Sequence, residues 1–266
     1  MTEHLEDRDQ AEETGQARQA LSFGAAADRY DRLRPRYPEA ALRWALGDAP
    51  VRVVDLGAGT GILSRALAAL GHDVVPVEPD AQMRARLAAA SPGLTPLAGF
   101  AEQLPLPDAS VDAVVAGQAY HWFDREPTHA EVARVLRPGG TFAPMWNLRD
   151  ESVPWVAELS TVTDDDTAGR GIREPSPELE SFGPLLGTVE QASFGYTAAS
   201  TPDTLVGLIT TRSYYLTAPP ERQRELERRV RELCATHPEL AGRSTFYLPY
   251  RTSVHRAIRT GRDQGS

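Results

Sequence analysis

The sequence predicts an α/β fold in which a doubly wound, mostly parallel sheet carries helices on both faces. Three observations lead to this prediction. Short valine-rich segments alternate with helical segments between residues 51 and 147, and this alternation is typical of parallel sheets. The segments that connect them are short. A glycine-rich segment joins the first strand to the next helix, as in open α/β sheets that bind a ligand at their carboxyl edge.

Five strands are expected in this region, each a short apolar run bounded by glycine, proline or an acidic residue. They are predicted at residues 51–54, 73–77, 94–97, 111–116 and 141–146, the third of them weakly. The first ends at Asp55 and the second at Glu78. Helices are predicted between the strands, at residues 38–46, 62–70 and 81–90 and in a segment that ends at 131–136, before a turn at 137–140.

The regions on either side follow different patterns. Residues 1–19 are polar and acidic, which predicts a disordered tail. Few regular apolar repeats occur in 148–188, which favours an insertion of short helices and loops. Later elements are expected at 189–196 (strand), at 202–215 (helix, capped by Thr201), at 220–235 (charged helix) and within 245–258 (strand). The chain is therefore divided into a tail at 1–19, a core at 20–147, and an insertion with C-terminal strands at 148–266 that complete the same domain.

The composition excludes several functions. The 266 residues carry a formal net charge of −9, and all 28 basic residues are arginine. Without lysine, the chain cannot form a Schiff base or supply the lysine of a phosphate-binding NTPase loop. The acidic balance argues against nucleic acid as a partner. A single cysteine, Cys234, cannot form an internal disulfide.

The same composition predicts a cytoplasmic protein. No apolar run approaches the roughly 20 residues that a membrane helix needs. The polar N-terminal residues are unlike a signal peptide. The histidines show no metal-ligand spacing, so no metal site is expected.

The informative motif runs from the first strand through Asp55 into Gly57, Gly59 and Gly61. Glycines let the backbone turn tightly and let a ligand approach where a Cβ atom would collide. The start of the following helix offers unpaired N–H groups to an anion. Glu78 ends the next strand, and in a doubly wound sheet such an acid points into the same crevice and can accept both hydroxyls of a ribose. A ligand that contains ribose is therefore expected.

The order of these residues distinguishes between two classes of ligand. The dinucleotide fingerprint Gly-x-Gly-x-x-Gly requires glycine at position 62, where this chain has Ile62. The third glycine is Gly61 instead, and the arrangement Asp-x-Gly-x-Gly-x-Gly resembles motif I of the class I S-adenosylmethionine-dependent methyltransferases. The resemblance implies a seven-stranded Rossmann-like sheet with an N-terminal helical lid and an insertion after the fifth strand.

Other segments extend the resemblance over about residues 20–147. Residues 99–106 are similar to the segment that lines the adenine pocket in this family, and residues 118–124 to the segment after its fourth strand. The turn at 137–140 resembles the one before the family's fifth strand. Residues 23–38, which include Tyr-Asp-Arg-Leu-Arg-Pro-Arg-Tyr-Pro, resemble the subfamily with trans-aconitate and quinone-type methyltransferases.

The resemblance implies a role for each matching residue toward S-adenosylmethionine. Asp55 and the three glycines would hold the amino-acid end, and Arg34 would pair with its carboxylate, with Tyr30 as a second donor. Glu78 would take the ribose. Met83, Ala101 and Glu102 would surround the adenine. Gln118 would lie near the sulfonium.

The acceptor is expected to be a small molecule with a carboxylate, a hydroxyl or an acidic carbon. If it must lose a proton, His121 is the predicted catalytic base, because imidazole titrates near neutrality. If it is a carboxylate, no base is needed, and an arginine such as Arg149 or Arg212 would hold it. The ring of His121 beside two aromatic neighbours is equally consistent with ordinary packing.

Two other functions stay open at this point. A nicotinamide-dependent oxidoreductase shares this type of sheet, although Ile62 and the absence of lysine disfavour it. A catalytically silent protein that retains the cofactor pocket is the other alternative. Nucleic-acid methylation is disfavoured, because no basic patch with interleaved aromatic residues is present.

Overall fold

The computed structural model of the protein describes residues 31, 33–164 and 181–260. The predicted tail at 1–19 and most of the expected N-terminal helical lid lie outside the described residues. The chain divides into two compact units, residues 1–34 and residues 35–266. All helices and strands named below belong to the second unit.

Six strands of the described part of the chain form one sheet. Most are short and valine-rich, as expected for buried parallel strands, whereas the last two are longer. They are β1 (Arg52–Leu56), β2 (Asp73–Val77), β3 (Val111–Gly117), β4 (Leu136–Arg149), β5 (Glu190–Ser200) and β6 (Phe246–Ile258).

The sheet is mostly parallel and has the order β2-β1-β3-β4-β6-β5. Strand β1 pairs in parallel with β2 and β3, and β3 pairs in parallel with β4. Strand β6 runs antiparallel to both of its neighbours, β4 and β5. The order of the strands reverses at β1, because β2 is added on one side of β1 and β3 is added on the other. The carboxyl ends of β1 and β3 therefore flank the switch point, where open α/β sheets bind their ligands.

Eight α-helices connect the strands within the described residues. Several have the amphipathic pattern that predicts one buried face. They are α1 (Glu39–Leu46), α2 (Ile62–Ala69), α3 (Ala81–Ala90), α4 (Arg125–Val135), α5 (Pro154–Asp164), α6 (Pro202–Ile209), α7 (Ser213–Leu216) and α8 (Pro220–Thr236). None of them is both long and apolar enough to cross a membrane.

The two faces of the sheet pack against different helices, which confirms the doubly wound architecture. On one face Phe142 and Trp146 of β4 belong to a buried cluster that includes Val132 of α4. On the other face Met145 of β4 is buried with Leu42 of α1, among other residues. Alternation of side chains along β4 produces this division, because successive residues of a strand point to opposite faces.

The sheet has six strands within the described residues, and not the seven that were expected. The weak strand predicted at 94–97 forms only a single bridge, between Leu97 and Val77. Leu97 donates its N–H to the Pro76 carbonyl at 2.8 Å, but its neighbour Pro96 has no N–H to extend the ladder.

The single helix predicted at 202–215 is also divided. Residues 210–212 interrupt it between α6 and α7. The hydroxyls of Thr210 and Thr211 donate to the carbonyls of Gly207 and Leu208, at 2.8 and 2.7 Å. Such side-chain bonds compete with helix propagation. The predicted cap is confirmed, since the Thr201 hydroxyl accepts the Thr204 N–H at 3.1 Å.

Candidate functional site

The glycine turn after β1 adopts a left-handed backbone at all three glycines. The φ angles of Gly57, Gly59 and Gly61 are 69°, 55° and 83°. A Cβ atom on Gly57 would lie 2.7 Å from Cβ of Ala119, and one on Gly61 would lie 2.7 Å from Cγ of Leu87. A Cβ atom on Gly59 would meet nothing within 4 Å. Gly57 and Gly61 are thus needed for close packing, whereas Gly59 faces open space that a ligand can enter.

Glu78 is fixed beside this turn. Its carboxylate is buried, with 7% of the residue exposed. One oxygen accepts the Gly59 N–H at 2.8 Å, and the other accepts the Asp80 N–H at 2.9 Å. A carboxylate oxygen has two lone pairs, so each keeps capacity for one further donor such as a ribose hydroxyl.

Asp55 lies beneath the turn and is almost completely buried. Its carboxylate accepts the Ser64 hydroxyl at 2.5 Å, which joins the end of β1 to the first turn of α2. Burial raises the pKa of Asp55 to about 6, the Ser64 hydrogen bonds oppose this rise, and the charge of Glu78 adds to it. Ser64 was not singled out in the sequence, although its position in the first turn after the glycines could have indicated it.

Gln118 occupies a strained position directly after β3. Its φ angle is 59°, which is uncommon for a residue other than glycine. Its side-chain N–H donates to the Asn147 carbonyl at 2.8 Å, and its backbone N–H donates to the Met145 carbonyl at 2.9 Å. Its Oε1 atom is buried and has no hydrogen-bond partner among the described residues. A buried acceptor without a donor is costly, so this atom fits a donor group of a bound ligand.

Asn147 connects Gln118 to the antiparallel half of the sheet. The Asn147 Oδ1 atom accepts the Thr252 hydroxyl of β6 at 2.6 Å. Its amide group donates to the Arg36 carbonyl at 3.2 Å. Nothing in the sequence marks Asn147 as important, because the partners of its side chain, Thr252 and Arg36, lie more than 100 residues away.

The three residues predicted to surround the adenine differ in exposure. Met83 is partly exposed in the first turn of α3, where its N–H donates to the Asp80 side chain at 2.7 Å. Ala101 is buried in the core cluster with Leu104. Glu102 accepts the Asp124 N–H at 2.9 Å, which joins its segment to the loop after β3.

His121 lies in a short 3₁₀ helix, Tyr120–Trp122, that follows β3. Its ring is exposed on one side and lies 4.9 Å from the Trp122 ring. Partial desolvation lowers its pKa, so the imidazole is neutral near pH 7. Within the described part of the chain, no side chain orients this ring by a hydrogen bond. The buried Tyr120 anchors the loop instead, through its hydroxyl and the His129 Nε2 atom at 2.8 Å.

The structure describes only part of the segment that is predicted to bind the methionine carboxylate. Tyr30 lies outside the described residues. Arg34 ends the first unit of the chain, residues 1–34. Their roles toward the methionine carboxylate stay predictions.

A separate cavity of about 250 Å³ lies on the sheet between β4, β5 and β6. It is on the face opposite Asn147 and Thr252, so it is not part of the network around Gln118. Its lining comprises Leu148, Gln191, Ala192, Ser193, Arg251, Ser253 and His255. Over the described ranges, no cluster of three or more histidine, cysteine or acidic side chains could hold a metal ion.

Comparison with known proteins agrees with this geometry. The methyltransferase domain family matches residues 54–143, from β1 into β4. An uncharacterized methyltransferase of Mycobacterium tuberculosis is 44% identical over 238 residues, which cover 90% of this chain and 96% of the relative. A ubiquinone/menaquinone biosynthesis C-methyltransferase of Rubrivivax gelatinosus is 34% identical over 143 residues, covering 48% of this chain and 57% of that protein.

Solved structures show the same fold. The crystal structure of a methyltransferase from an antibiotic biosynthesis pathway of Anabaena variabilis superimposes with a TM-score of 0.60 at 23% identity. The match covers 81% of this chain and 94% of that one. The Rossmann-like sheet, the glycine turn and the acid after the second strand are consistent with a methyltransferase, and the similarity to known methyltransferases identifies the class. The chain belongs to the class I S-adenosylmethionine-dependent methyltransferases.

The glycine turn predicts unequal effects of alanine at two positions. Gly61→Ala should lower the free energy of unfolding by about 2–4 kcal/mol, because a left-handed alanine costs ~1–2 kcal/mol and its Cβ would also overlap Leu87. Gly59→Ala incurs only the backbone cost. Urea unfolding of both variants measures the difference, and equal losses would show that the Leu87 contact does not matter.

Asp55 predicts a pH-dependent difference in stability. The pKa of Asp55 is about 6 in the folded protein and 3.8 in its ordinary state. Asp55 therefore favours the folded state when it is protonated at low pH, and this contribution to the free energy of unfolding is lost as the pH rises through about 6. Asp55→Asn keeps an acceptor for Ser64 without the charge. The variant should exceed the wild type by up to about 3 kcal/mol near pH 8, with the gap closing below about pH 4.

Urea unfolding at both pH values tests this, with the exposed Asp73→Asn on β2 as the control. A wild type as stable as Asp55→Asn at about pH 8 would show that burial of the Asp55 charge has no cost.

Proposed function

We propose that this enzyme transfers a methyl group from S-adenosylmethionine to a small-molecule acceptor, at the carboxyl ends of β1, β2 and β3. The observation that supports it best is the paired arrangement at the switch point. Glu78 is locked to Gly59 on one side, and Gln118 offers an unsatisfied buried oxygen on the other. When bound, S-adenosylmethionine supplies a methyl group that is already electrophilic.

The residues divide the binding task by position. Glu78 would accept the ribose hydroxyls, since it is fixed where the chain leaves β2. Gly59 would let the amino-acid end approach the turn, and Gln118 would receive a donor from the same end. The remaining assignments are Tyr30, Arg34, Asp55, Gly57 and Gly61 for the amino-acid end and Met83, Ala101 and Glu102 for the adenine.

A small molecule is a better acceptor than nucleic acid for this chain. The net charge of −9 opposes a polyanion. Membership of the methyltransferase family removes the nicotinamide alternative, whereas a catalytically silent cofactor-binding protein is distinguished by assay. A cytoplasmic location is proposed on the composition.

The central test is the affinity for S-adenosylhomocysteine, measured by titration calorimetry beside NAD. Glu78→Ala removes an acceptor of charged hydrogen bonds worth about 1.5–3 kcal/mol, so the affinity should fall roughly 10- to 150-fold. In Glu78→Gln the affinity should fall less, because the side chain keeps one oxygen acceptor. Glu239→Ala, on an exposed turn, is the control.

Thermal unfolding of each variant separates lost binding from lost folding, because Glu78 also holds two backbone N–H groups. Unchanged affinity in a folded Glu78→Ala protein would remove this residue from the ribose site. Tighter binding of NAD than of S-adenosylhomocysteine would overturn the proposed cofactor.

His121 provides a test of whether a base is used. General bases are typically oriented by a hydrogen-bonding partner, whereas the His121 ring lies beside the Trp122 ring and no described side chain orients it by a hydrogen bond. His121→Ala should therefore reduce turnover less than about 10-fold, whereas loss of a base costs roughly 10²–10⁴-fold. Steady-state turnover across pH decides the point. A thousandfold loss together with a missing limb near the imidazole pKa would establish His121 as the base.

A further inference from the structure

Asn147, near the end of β4, joins three separate segments of the chain by hydrogen bonds. Its backbone carbonyl accepts the Gln118 side-chain N–H at 2.8 Å. Its side-chain oxygen accepts the Thr252 hydroxyl at 2.6 Å, and its side-chain N–H donates to the Arg36 carbonyl at 3.2 Å. Asn147 and Thr252 are buried, with 4% and 0% of each residue exposed. The bond from Thr252 orients the amide, so that an N–H group faces Arg36.

Tyr37, which follows Arg36, packs against the last residue of β3. A Cβ atom on Gly117 would lie 2.9 Å from Cζ of Tyr37 and 2.9 Å from Cδ2 of Leu63. The φ angle of Gly117 is outside the left-handed region, so glycine is needed here for the close approach of Tyr37 and not for the backbone conformation. Gly117 directly precedes Gln118, whose unsatisfied Oε1 atom lies at the proposed cofactor site. Tyr37 is therefore packed beside that site.

Two neighbouring residues are thus held by two different strands. A hydrogen bond from β4 holds the Arg36 backbone, and packing on the end of β3 holds the Tyr37 ring. If the Asn147 amide were removed, the Arg36 carbonyl would lose this donor, and the packing of Tyr37 would have to hold the segment without it. Arg34, which is predicted to bind the methionine carboxylate, precedes the held carbonyl by two residues.

We propose that Asn147 is a positioning residue for ligand binding, because it holds the backbone at Arg36 and so keeps Tyr37 against β3 beside the cofactor crevice. This inference rests on the proposed cofactor site. The side chain of Asn147 is occupied by Thr252 and Arg36, so it acts through this backbone and not on the ligand itself.

The peptide bond between Arg36 and Tyr37 gives a direct readout of this contact. Trypsin cleaves after arginine and must bind the same Arg36 carbonyl that Asn147 holds, so cleavage requires the segment to be released. Full-length enzyme is exposed briefly to trypsin, and each cleaved bond is quantified by mass spectrometry. The bond between Arg243 and Ser244, which are both exposed, calibrates the protease in every sample.

Two substitutions of Asn147 separate a hydrogen bond from simple space filling. Asn147→Ala should speed cleavage after Arg36 about 5- to 30-fold, because a donor to the carbonyl is lost. Asn147→Asp keeps the shape and the acceptor for Thr252 but turns an oxygen toward the Arg36 carbonyl. It should be cleaved at least as fast as Asn147→Ala, whereas a residue that only fills space would tolerate aspartate. Gln191→Ala, which removes an exposed amide on β5, is the matched control.

Gly117→Ala perturbs the same segment from β3 while Asn147 stays intact. The added Cβ atom would displace the Tyr37 ring, so cleavage after Arg36 should also become faster. Gly93→Ala is the matched control, because a Cβ atom there would meet nothing within 4 Å.

Calorimetry with S-adenosylhomocysteine connects the held segment to binding. If the ligand binds the held form, its affinity should fall at least about 3-fold in Asn147→Ala, Asn147→Asp and Gly117→Ala. By the reciprocity of linked equilibria, saturating S-adenosylhomocysteine should slow cleavage after Arg36 in the wild type and leave cleavage after Arg243 unchanged. Thermal unfolding of each variant shows that it is folded, and Gly117→Ala provides the test if the Asn147 variants fail to fold.

Three results would overturn the inference. Cleavage after Arg36 at the wild-type rate in folded Asn147→Ala and Asn147→Asp would show that Asn147 does not hold the segment. Faster cleavage with unchanged affinity for S-adenosylhomocysteine would show that the held segment has no role in binding. Wild-type cleavage that S-adenosylhomocysteine does not slow, although it binds, would separate the segment from the crevice. If the wild type did not bind S-adenosylhomocysteine at all, the proposed function itself would be contradicted, and the inference with it.

Discussion

The hydrogen bond between the Glu78 carboxylate and the Gly59 N–H is the interaction on which the rest of the site depends. It ties the end of β2 to the turn after β1, so the two strand ends form one rigid edge. The left-handed backbone at Gly59 aims the N–H at Glu78 and leaves space on the outer side of the turn. Asp55 and Ser64 support the turn from below. A charged acceptor and an open backbone are thus held side by side before any ligand arrives.

A second network extends from the end of β3 to the antiparallel half of the sheet. Gln118 bonds to the backbone of Asn147, and Asn147 bonds to Thr252. This chain of bonds crosses from β3 through β4 to β6, so the parallel half that would bind the cofactor is coupled to the antiparallel half that carries Tyr250. The Oε1 atom of Gln118 is the unsatisfied polar group on this path, and we propose that a donor of the ligand binds to it.

The sequence could predict the parts that depend on local pattern. Strands β1 and β2 follow from valine runs, the helix Ala81–Ala90 follows from helix-forming residues that end before Pro92, and the glycine turn follows from its motif. The strand expected at 94–97 failed because Pro96 cannot donate to a ladder. The role of Asn147 could not be found, since only the fold brings Thr252 and Arg36 to its side chain. Arg212 was expected as one of two arginines that would hold a carboxylate acceptor, and this role stays a prediction.

The central claim is that the crevice between Glu78 and Gln118 holds the methyl donor. A crystal structure of the enzyme with S-adenosylhomocysteine tests it most directly. The account predicts both ribose hydroxyls within about 2.6–3.2 Å of the Glu78 carboxylate, and a donor of the ligand at a similar distance from Oε1 of Gln118. A ligand bound elsewhere, or bound here with Glu78 still contacting only the backbone, would contradict it.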